Sequence, residues 1–192
     1  HFLLENVTRD VLAEGGFAAV EQEELHRLVR RYTERYVEQE LHNFQNRNAR
    51  FRYLFARLRT TAYAVIDQVA AELRCSDFVP MAFELSFGGK NGALSAVTIS
   101  EPDGELRVGG KVDRVDGWLH DGRLYLRVVD YKSGRKSFDL ANVRMGLDIQ
   151  MLLYLFTLQK EGAHYFGQEI EPAGVLYLPA RDEILSLERN VT

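Results

Sequence analysis

The stretch GGKVDRVDGWLHDGRLYLRVVDYKSG, residues 109–134, contains two alternating runs of apolar and polar residues joined by Asp121-Gly122. An Asp-Gly pair between two such runs is typical of a β-hairpin with a two-residue turn, because both residues tolerate positive φ. A turn here places Trp118 opposite Tyr125 and Asp116 opposite Arg127. One is an aromatic pair and the other an ion pair, so both favour this register.

The same register brings two carboxylates together at the open end of the hairpin. It places Asp113 opposite Asp130, and Lys132 follows on the same face two residues later. That face also carries the apolar residues Val115, Leu119, Leu124, Leu126 and Val128. Opposed like charges destabilise a sheet, and removal from water adds to the cost. A shared proton, the Lys132 ammonium, or a divalent cation such as Mg²⁺ or Mn²⁺ would each compensate.

The chain upstream of the hairpin is predicted to be mainly helical over residues 1–78, which hold two glycines and no proline. A first helix over residues 1–14 is closed by Gly15-Gly16. Apolar residues then recur at three- and four-residue spacing over 20–42 and 50–74, which predicts two further helices. Arginines and aromatics interleave over 47–59, which is typical of a DNA contact, but we interpret this segment as a solvated helix face.

Residues 79–192 are predicted to form a sheet-containing core within the same single domain. Alternating runs bounded by glycine predict antiparallel strands over 81–89, 93–104 and 105–122, in addition to the second strand of the hairpin. A helix near 142–161 and a buried strand over 173–180 follow. The fold class is therefore α+β, with a helical N-terminal portion followed by a sheet and at least one covering helix.

Length and composition restrict the classes of function. The chain has 192 residues, 46% hydrophobic and 27% charged, which is ordinary for a soluble globular domain, and it begins at His1, as a fragment would. We expect no membrane partner and a cytoplasmic location. The net charge of −4 argues against a simple basic nucleic-acid module, but not against an enzyme that meets phosphate through a metal ion. Cys75 is the single cysteine, so the chain alone cannot build a disulfide or an iron–sulfur site.

The hairpin and the segment GLDIQMLLYL, residues 146–155, resemble the nuclease domain of RecB-type enzymes in the PD-(D/E)xK, or restriction-endonuclease-like, superfamily. Members carry G-x-[IV]-D-R-[IV]-D, then [VI]-D-Y-K-[ST], then G-x-x-x-Q-x-x-x-Y. Here these motifs begin at Gly110, Val129 and Gly146. Val112 stands at the proline of the superfamily's name, as is common in RecB-like members. The resemblance is closest to the C-terminal nuclease domains of AddB-type subunits.

The resemblance implies a restriction-endonuclease-like mixed sheet flanked by helices, and metal-dependent hydrolysis of DNA phosphodiester bonds. It implies that Asp113, Asp130 and the Tyr131 carbonyl bind Mg²⁺ or Mn²⁺. The segment HFLLE at the start of the chain resembles a family helix that supplies a histidine ligand, here His1. Lys132 would orient the attacking water or stabilise charge on the phosphorane.

Two further residues receive a catalytic role from the same resemblance. Gln150 and Tyr154 lie four residues apart and so share a helix face. The resemblance implies that this face contacts DNA or orients Lys132, and the alternative is that Tyr154 is a core residue. Glu84 in FELSF either adds a carboxylate from a neighbouring strand or faces outward. Arg114 lies on the strand face opposite Asp113, so we expect a structural salt bridge for it.

AddB-type parents act with an AddA-type helicase–nuclease subunit on single-strand ends of unwound duplex DNA, in double-strand break repair and recombination. The chain would then be their exonuclease domain. The chain has no Walker A motif, so translocation would come from other parts of the protein or from the partner. The iron–sulfur ligands of such parents would lie outside these residues, or be absent from the parent of this chain. The alternatives are a catalytically inactive nuclease-fold scaffold or DNA-binding module, and a CRISPR-associated RecB-like nuclease.

Overall fold

The computed structural model describes residues 1–41, 48–88, 92–101, 104–132, 134, 139–145 and 149–180. The helices within these ranges are α1 Phe2–Ala13, α2 Gln22–Glu40, α3 Ala49–Arg74, α4 Leu140–Arg144, α5 Gln150–Glu161 and α6 Ala163–Phe166. The strands are β1 Val79–Phe87, β2 Val97–Glu101, β3 Gly104–Val108, β4 Gly110–His120, β5 Arg123–Lys132 and β6 Ile170–Pro179. The predicted α+β class with a helical N-terminal portion is confirmed.

Four strands form the main sheet in the order β1-β4-β5-β6. β4 pairs antiparallel with both β1 and β5, whereas β5 pairs parallel with β6, so the sheet is mixed as predicted. β2 and β3 form a separate two-stranded antiparallel sheet. The run 105–122 was predicted as one strand but is divided at Gly109 into β3 and β4. The division leaves β4 as an inner strand, with a neighbour on each side.

The hairpin that joins β4 to β5 has the predicted turn and register. Asp121 and Gly122 have φ values of 49° and 74°, both in the left-handed region that a type I′ turn requires. The ladder runs from His120–Arg123 at the turn to Arg114–Val129, and Trp118 contacts Tyr125 with ring centroids 5.4 Å apart. Asp113 and Asp130 occupy the next position along this register, immediately beyond the last pair of the ladder.

Two hydrophobic clusters cover opposite faces of the sheet. The first joins helices α1 to α3 to the end of the sheet through Val129, Tyr131 and Leu178. The second packs α5 against the apolar face of the hairpin and includes Val115, Leu124, Leu126, Val128 and Leu158. Leu119 was predicted to share that apolar face but is 57% exposed, because it lies next to the turn. The ends of β4 and β5 remote from the turn are therefore enclosed by helices on both faces.

The sequence predicts a single helix over 142–161, whereas the structure has two helices in this region, α4 and α5. The motif residue Gly146, its neighbour Leu147 and Ser133 lie outside the described residues. α1 ends at Ala13, and Gly15 and Gly16 follow shortly after with φ values of 101° and 93°, which stop the helix as predicted.

Within the described ranges, no helix is both long enough and apolar enough to cross a bilayer.

Candidate active site

Asp113 lies on the inner strand β4, so it has a neighbour on each side of the sheet. In β5 the next position of the register is Asp130. In β1, Phe83 pairs with Arg114 and Leu85 with Val112, which places Glu84 opposite Asp113. Three carboxylate-bearing residues therefore occupy neighbouring positions on three adjacent strands.

Glu84 has an unusual backbone for a strand residue. Its φ is 50°, in the left-handed region that non-glycine residues seldom adopt. Such a conformation costs on the order of 1–3 kcal/mol and recurs at functional sites. Its carboxylate lies beside His1 and forms an ion pair with Lys111 through Oε2. The strained backbone therefore occurs at the residue that brings a carboxylate beside Asp113.

His1, immediately before α1, brings an imidazole to these carboxylates. Its Nδ1 lies 3.1 Å from Asp113 Oδ1 and 3.4 Å from Glu84 Oε1. The three side chains each offer one ligand atom, and these atoms lie within 4.8 Å of one another. The imidazole ring also contacts the Tyr131 ring edge-on, with centroids 6.0 Å apart. The start of the helical layer and the open end of the sheet thus meet at one point.

The Asp113 carboxylate is held in place by the backbone of the neighbouring strand. The side chain is 11% exposed, and its Oδ2 accepts a hydrogen bond of 2.9 Å from the Tyr131 N–H. Burial raises the pKa of the Asp113 carboxyl. The negative charges of Asp130 and Glu84 add to this rise in pKa, whereas the Tyr131 hydrogen bond and the Lys132 charge oppose it. The pKa of Asp113 is therefore raised overall. A bound cation would offset the cost of keeping this carboxylate charged in the metal-free site.

Asp130 and Lys132 form an ion pair at the end of β5. Lys132 Nζ lies 2.7 Å from Asp130 Oδ2, and both residues pair with β6 through Tyr177 and Pro179. Asp130 Oδ2 is buried and has no partner with hydrogen-bond geometry among the described residues, so the lysine contact is an ion pair only. A buried acceptor oxygen without a hydrogen bond needs an explanation, and a bound ion or an ordered water beside the Lys132 ammonium would provide one.

The structure brings some of the predicted site residues together more closely than others. His1 and Asp113 belong to the three-residue cluster, and Tyr131 contributes its backbone N–H to Asp113. Asp130 pairs with Lys132 and lies outside that cluster among the described residues. Glu84, which our predicted ligand set omits, belongs to it. The sequence left Glu84 open between an added carboxylate and an outward-facing residue, and the pairing of β1 with β4, which sets it opposite Asp113, favours the added carboxylate.

Gln150 and Tyr154 contact each other on the first turn of α5. Gln150 Nε2 donates a hydrogen bond of 2.6 Å to Tyr154 Oη, and the Tyr154 ring stacks on Phe87 with centroids 5.3 Å apart. Tyr154 is 5% exposed and belongs to the second hydrophobic cluster, which favours the core interpretation of this residue. A Cβ at Gly110 would clash with the Tyr154 phenol, so the first glycine of the hairpin motif allows the ring to approach β4.

On the opposite face of β4, Arg114 lies in a buried ion-pair network, as predicted for this residue. Its guanidinium donates to both oxygens of Asp116 at 2.7 Å and 2.9 Å, and both side chains are fully buried. Arg127 also donates to Asp116, at 3.0 Å, and pairs at 2.6 Å with Glu72 of α3. Arg114 Nη1 donates to the Tyr131 phenol at 2.7 Å. Burial raises the pKa of that phenol to about 12, so it stays protonated at neutral pH.

The donor set of the site suits a hard divalent cation. Carboxylate oxygens predominate, and one imidazole nitrogen joins them, a combination that fits Mg²⁺ or Mn²⁺ better than softer metals. The clustered carboxylates and the raised pKa of Asp113 favour a positive ion at this place. Lys132 and Lys111 supply positive charge beside Asp130 and Glu84 respectively.

A groove opens next to His1 on the helical side of the site. It has a volume of about 330 Å³, and its walls include Phe2, Tyr36, Phe55 and Arg59. Phe2 and Tyr36 are each 40% exposed, and their ring centroids lie 5.9 Å apart. The first three turns of α3 are largely exposed here, so the arginine-rich segment lies at the surface as predicted.

Comparison with known proteins agrees with this geometry. The family model of the PD-(D/E)XK nuclease superfamily matches residues 1–191. Members of that superfamily generally use divalent metal ions.

Three curated relatives are each named as one subunit of an ATP-dependent helicase/deoxyribonuclease. The chain is 30% identical over its whole length to the protein of Oceanobacillus iheyensis and covers 17% of it. It is 32% identical over 77% of its length to that of Clostridium tetani, covering 13%. It is 37% identical over 71% of its length to that of Acetivibrio thermocellus, covering 12%. The chain thus spans less than a fifth of the length of these relatives.

Proposed function

Because this chain belongs to the PD-(D/E)XK nuclease superfamily, we propose that it is the exonuclease domain of an ATP-dependent helicase–nuclease that processes DNA double-strand breaks for repair and recombination. The observation that carries the proposal is the cluster of His1, Glu84 and Asp113, beside the Asp130–Lys132 pair, at the open end of the hairpin. Its reaction is hydrolysis of DNA phosphodiester bonds, and residues 1–192 form one nuclease domain.

The site would hold Mg²⁺ or Mn²⁺ through Asp113, Asp130, His1 and the Tyr131 carbonyl, and Glu84 joins this set because of its place in the cluster. Such an ion, when bound, polarises the scissile phosphate and lowers the pKa of a bound water. The like charges of the carboxylates support the assignment, because a cation between them would offset their mutual repulsion.

The chain's own residues would orient and stabilise the reacting groups. The Tyr131 N–H holds Asp113 in one orientation through the 2.9 Å hydrogen bond. The Lys132 ammonium, fixed beside Asp130 at 2.7 Å, supplies positive charge for the phosphate oxygens as negative charge grows on them, or orients the attacking water. Gln150 and Tyr154 would contact DNA or orient Lys132, as the resemblance implies. The contacts of Tyr154 with Phe87 and Gly110 favour a packing role for its ring.

The exposed half of α3, which we interpret from sequence as a solvated helix face, acquires a second interpretation as a surface for the DNA strand, because the groove beside His1 borders it. Residues 49–66 hold four arginines and no acidic residue. Aromatic side chains alternate with them, and unpaired bases stack on such rings while arginines meet phosphates. The groove beside His1 includes Phe55 and Arg59 of this helix, so a strand lying there would reach His1, whose imidazole contacts Asp113 and Glu84. Glu34 and Glu38 of α2 border the other side of Arg59. Their negative charges would repel the phosphates of a bound DNA strand and keep it away from α2.

The remaining partners follow from what the relatives are called. Their names describe one subunit of a helicase and deoxyribonuclease. We therefore place the chain in a cytoplasmic complex with an AddA-type subunit, which would deliver single-strand ends of unwound duplex to this domain. An iron–sulfur cluster, as in AddB-type parents, would draw its ligands from residues outside this chain, which has one cysteine.

A cleavage assay with matched variants tests the proposal. The purified chain is incubated with end-labelled linear DNA and Mn²⁺, with and without EDTA. We expect Mn²⁺-dependent loss of label that Asp113→Asn and Asp130→Asn each reduce at least about 100-fold, the scale of one lost electrostatic contribution to catalysis. Asp121→Asn makes the same chemical change at the exposed turn and should leave the rate unchanged.

Cleavage that persists equally in all three variants would mean that the activity comes from another protein. Absence of cleavage by the wild-type chain, in the presence of bound Mn²⁺, would favour an inactive nuclease-fold scaffold.

A further inference from the structure

The tip of β5, residues 130–132, is connected to β4 differently from the rest of the hairpin. The backbone ladder between the two strands ends at Arg114–Val129, one position before the candidate site. Beyond that point, the tip pairs with β6 only, among the described strands. Among the residues that the structure describes, two hydrogen bonds that involve side chains then join β4 to the tip, and both reach Tyr131. The position of this one residue relative to β4 therefore depends on side chains.

The two hydrogen bonds come from consecutive residues on opposite faces of β4. Asp113 accepts from the Tyr131 backbone N–H at 2.9 Å, within the site. Arg114 donates to the Tyr131 phenol oxygen at 2.7 Å, within the buried network behind the site. One residue thus makes both bonds, since the N–H that orients Asp113 and the phenol that Arg114 contacts both belong to Tyr131.

Arg114 is fixed strongly enough to act as an anchor. Both oxygens of Asp116 bind its guanidinium, and neither side chain is exposed to solvent. Arg127 and Glu72 complete the network, so two positive and two negative groups balance one another. Glu72 lies on α3 and reaches both arginines, at 3.6 Å to Arg114 and 2.6 Å to Arg127. The network therefore joins the helical layer to the strand pair.

We propose that Arg114 is a positioning residue, which acts through the Tyr131 phenol to hold the Tyr131 backbone and Asp113 in the geometry that binds the cation. This inference rests on the proposed function for the identity of the ligand, but the coupling it describes belongs to the chain itself. Groups that orient a metal ligand from outside typically change metal affinity by about 10- to 100-fold when removed. Arg114 thus helps to position Asp113, the residue before it, from the opposite face of β4.

The test compares two variants within the same network. Tyr131→Phe removes the phenol that Arg114 contacts, and keeps the ring and backbone. Arg127→Met removes a guanidinium that binds Asp116 and Glu72 and makes no bond to Tyr131 among those found in the described residues. Both changes disturb the network and should lower the melting temperature. Only Tyr131→Phe should raise the dissociation constant for Mn²⁺, by about 10-fold or more, as measured by calorimetry well below the melting transition.

Hydrogen exchange gives a readout that needs neither metal nor activity. The Tyr131 amide should exchange faster in Tyr131→Phe than in the wild-type chain, and should keep its protection in Arg127→Met. The inference is overturned if Mn²⁺ affinity and Tyr131 protection are unchanged in Tyr131→Phe, or if Arg127→Met shifts both equally. If the wild-type chain binds no Mn²⁺, the proposed function fails, and the exchange rates alone still decide the coupling.

Discussion

Replacement of Asp113 by asparagine should make the metal-free protein more stable and the metal-loaded protein less stable. Asp113 lies opposite Glu84 on one side and in register with Asp130 on the other. Each opposed like-charge pair costs roughly 0.2–1 kcal/mol, so removal of the central charge should stabilise the apo protein by about 1 kcal/mol. The asparagine side-chain oxygen can still accept the Tyr131 N–H, so that hydrogen bond is kept.

The pH dependence of this gain has a definite sign. The pKa of Asp113 is raised in the folded protein above its ordinary value of 3.8. The folded state therefore binds a proton more readily than the unfolded state, and stability is lost as pH rises through the folded pKa. The advantage of Asp113→Asn should be present at pH 7 and disappear below about pH 3.8, where the aspartate is protonated in both states.

Thermal unfolding in EDTA and in Mn²⁺ measures both effects. A gain of about 1 kcal/mol corresponds to about 2–4 °C in Tm for a chain of this size. Mn²⁺ at about 100 times its Kd stabilises the wild-type protein by about 2.7 kcal/mol, which the variant should largely lack. The order of Tm should therefore reverse between the two buffers. A variant that melts below wild type in EDTA at pH 7, or that gains as much from Mn²⁺, would refute this reasoning.

Three further predictions concern the surroundings of the site. Asp116→Ala should destabilise the protein by about 3–5 kcal/mol in denaturant unfolding, because it leaves the buried Arg114 without its bidentate partner; a loss below about 1 kcal/mol would contradict this. Gly110→Ala should lower Tm and displace the Tyr154 ring, seen as a changed near-ultraviolet circular dichroism spectrum, and an unaltered spectrum would count against the contact. Arg59→Ala should weaken binding of single-stranded oligonucleotide in EDTA and reduce the salt slope by about 0.7, whereas Arg123→Ala at the opposite end of the strands should not.

The hairpin could be predicted from sequence because its determinants are local. Asp121-Gly122 defines the turn, and the pairs Trp118–Tyr125 and Asp116–Arg127 lie within a few residues of it. That register alone placed Asp113 beside Asp130, before any motif was considered. The three motifs led to the superfamily, and the family match over residues 1–191 confirms that prediction.

Features that depend on distant packing were harder to predict. Glu84 reaches the cluster because β1 pairs with β4 and because its own φ is positive, and no local pattern indicates either. The sequence predicted a salt bridge for Arg114 but did not identify Glu72 as one of its partners, because Glu72 lies on the distant helix α3. The break between α4 and α5 was also missed, because apolar spacing continues through a segment that holds Gly146.

The most direct test of the central claim is the anomalous signal of a crystal of the chain soaked in Mn²⁺. The proposed function predicts one ion at the open end of the hairpin, with an oxygen of Asp113 about 2.0–2.3 Å away and Asp130 as a second ligand. An ion bound elsewhere, while the carboxylates of Asp113 and Asp130 point apart into solvent, would contradict it.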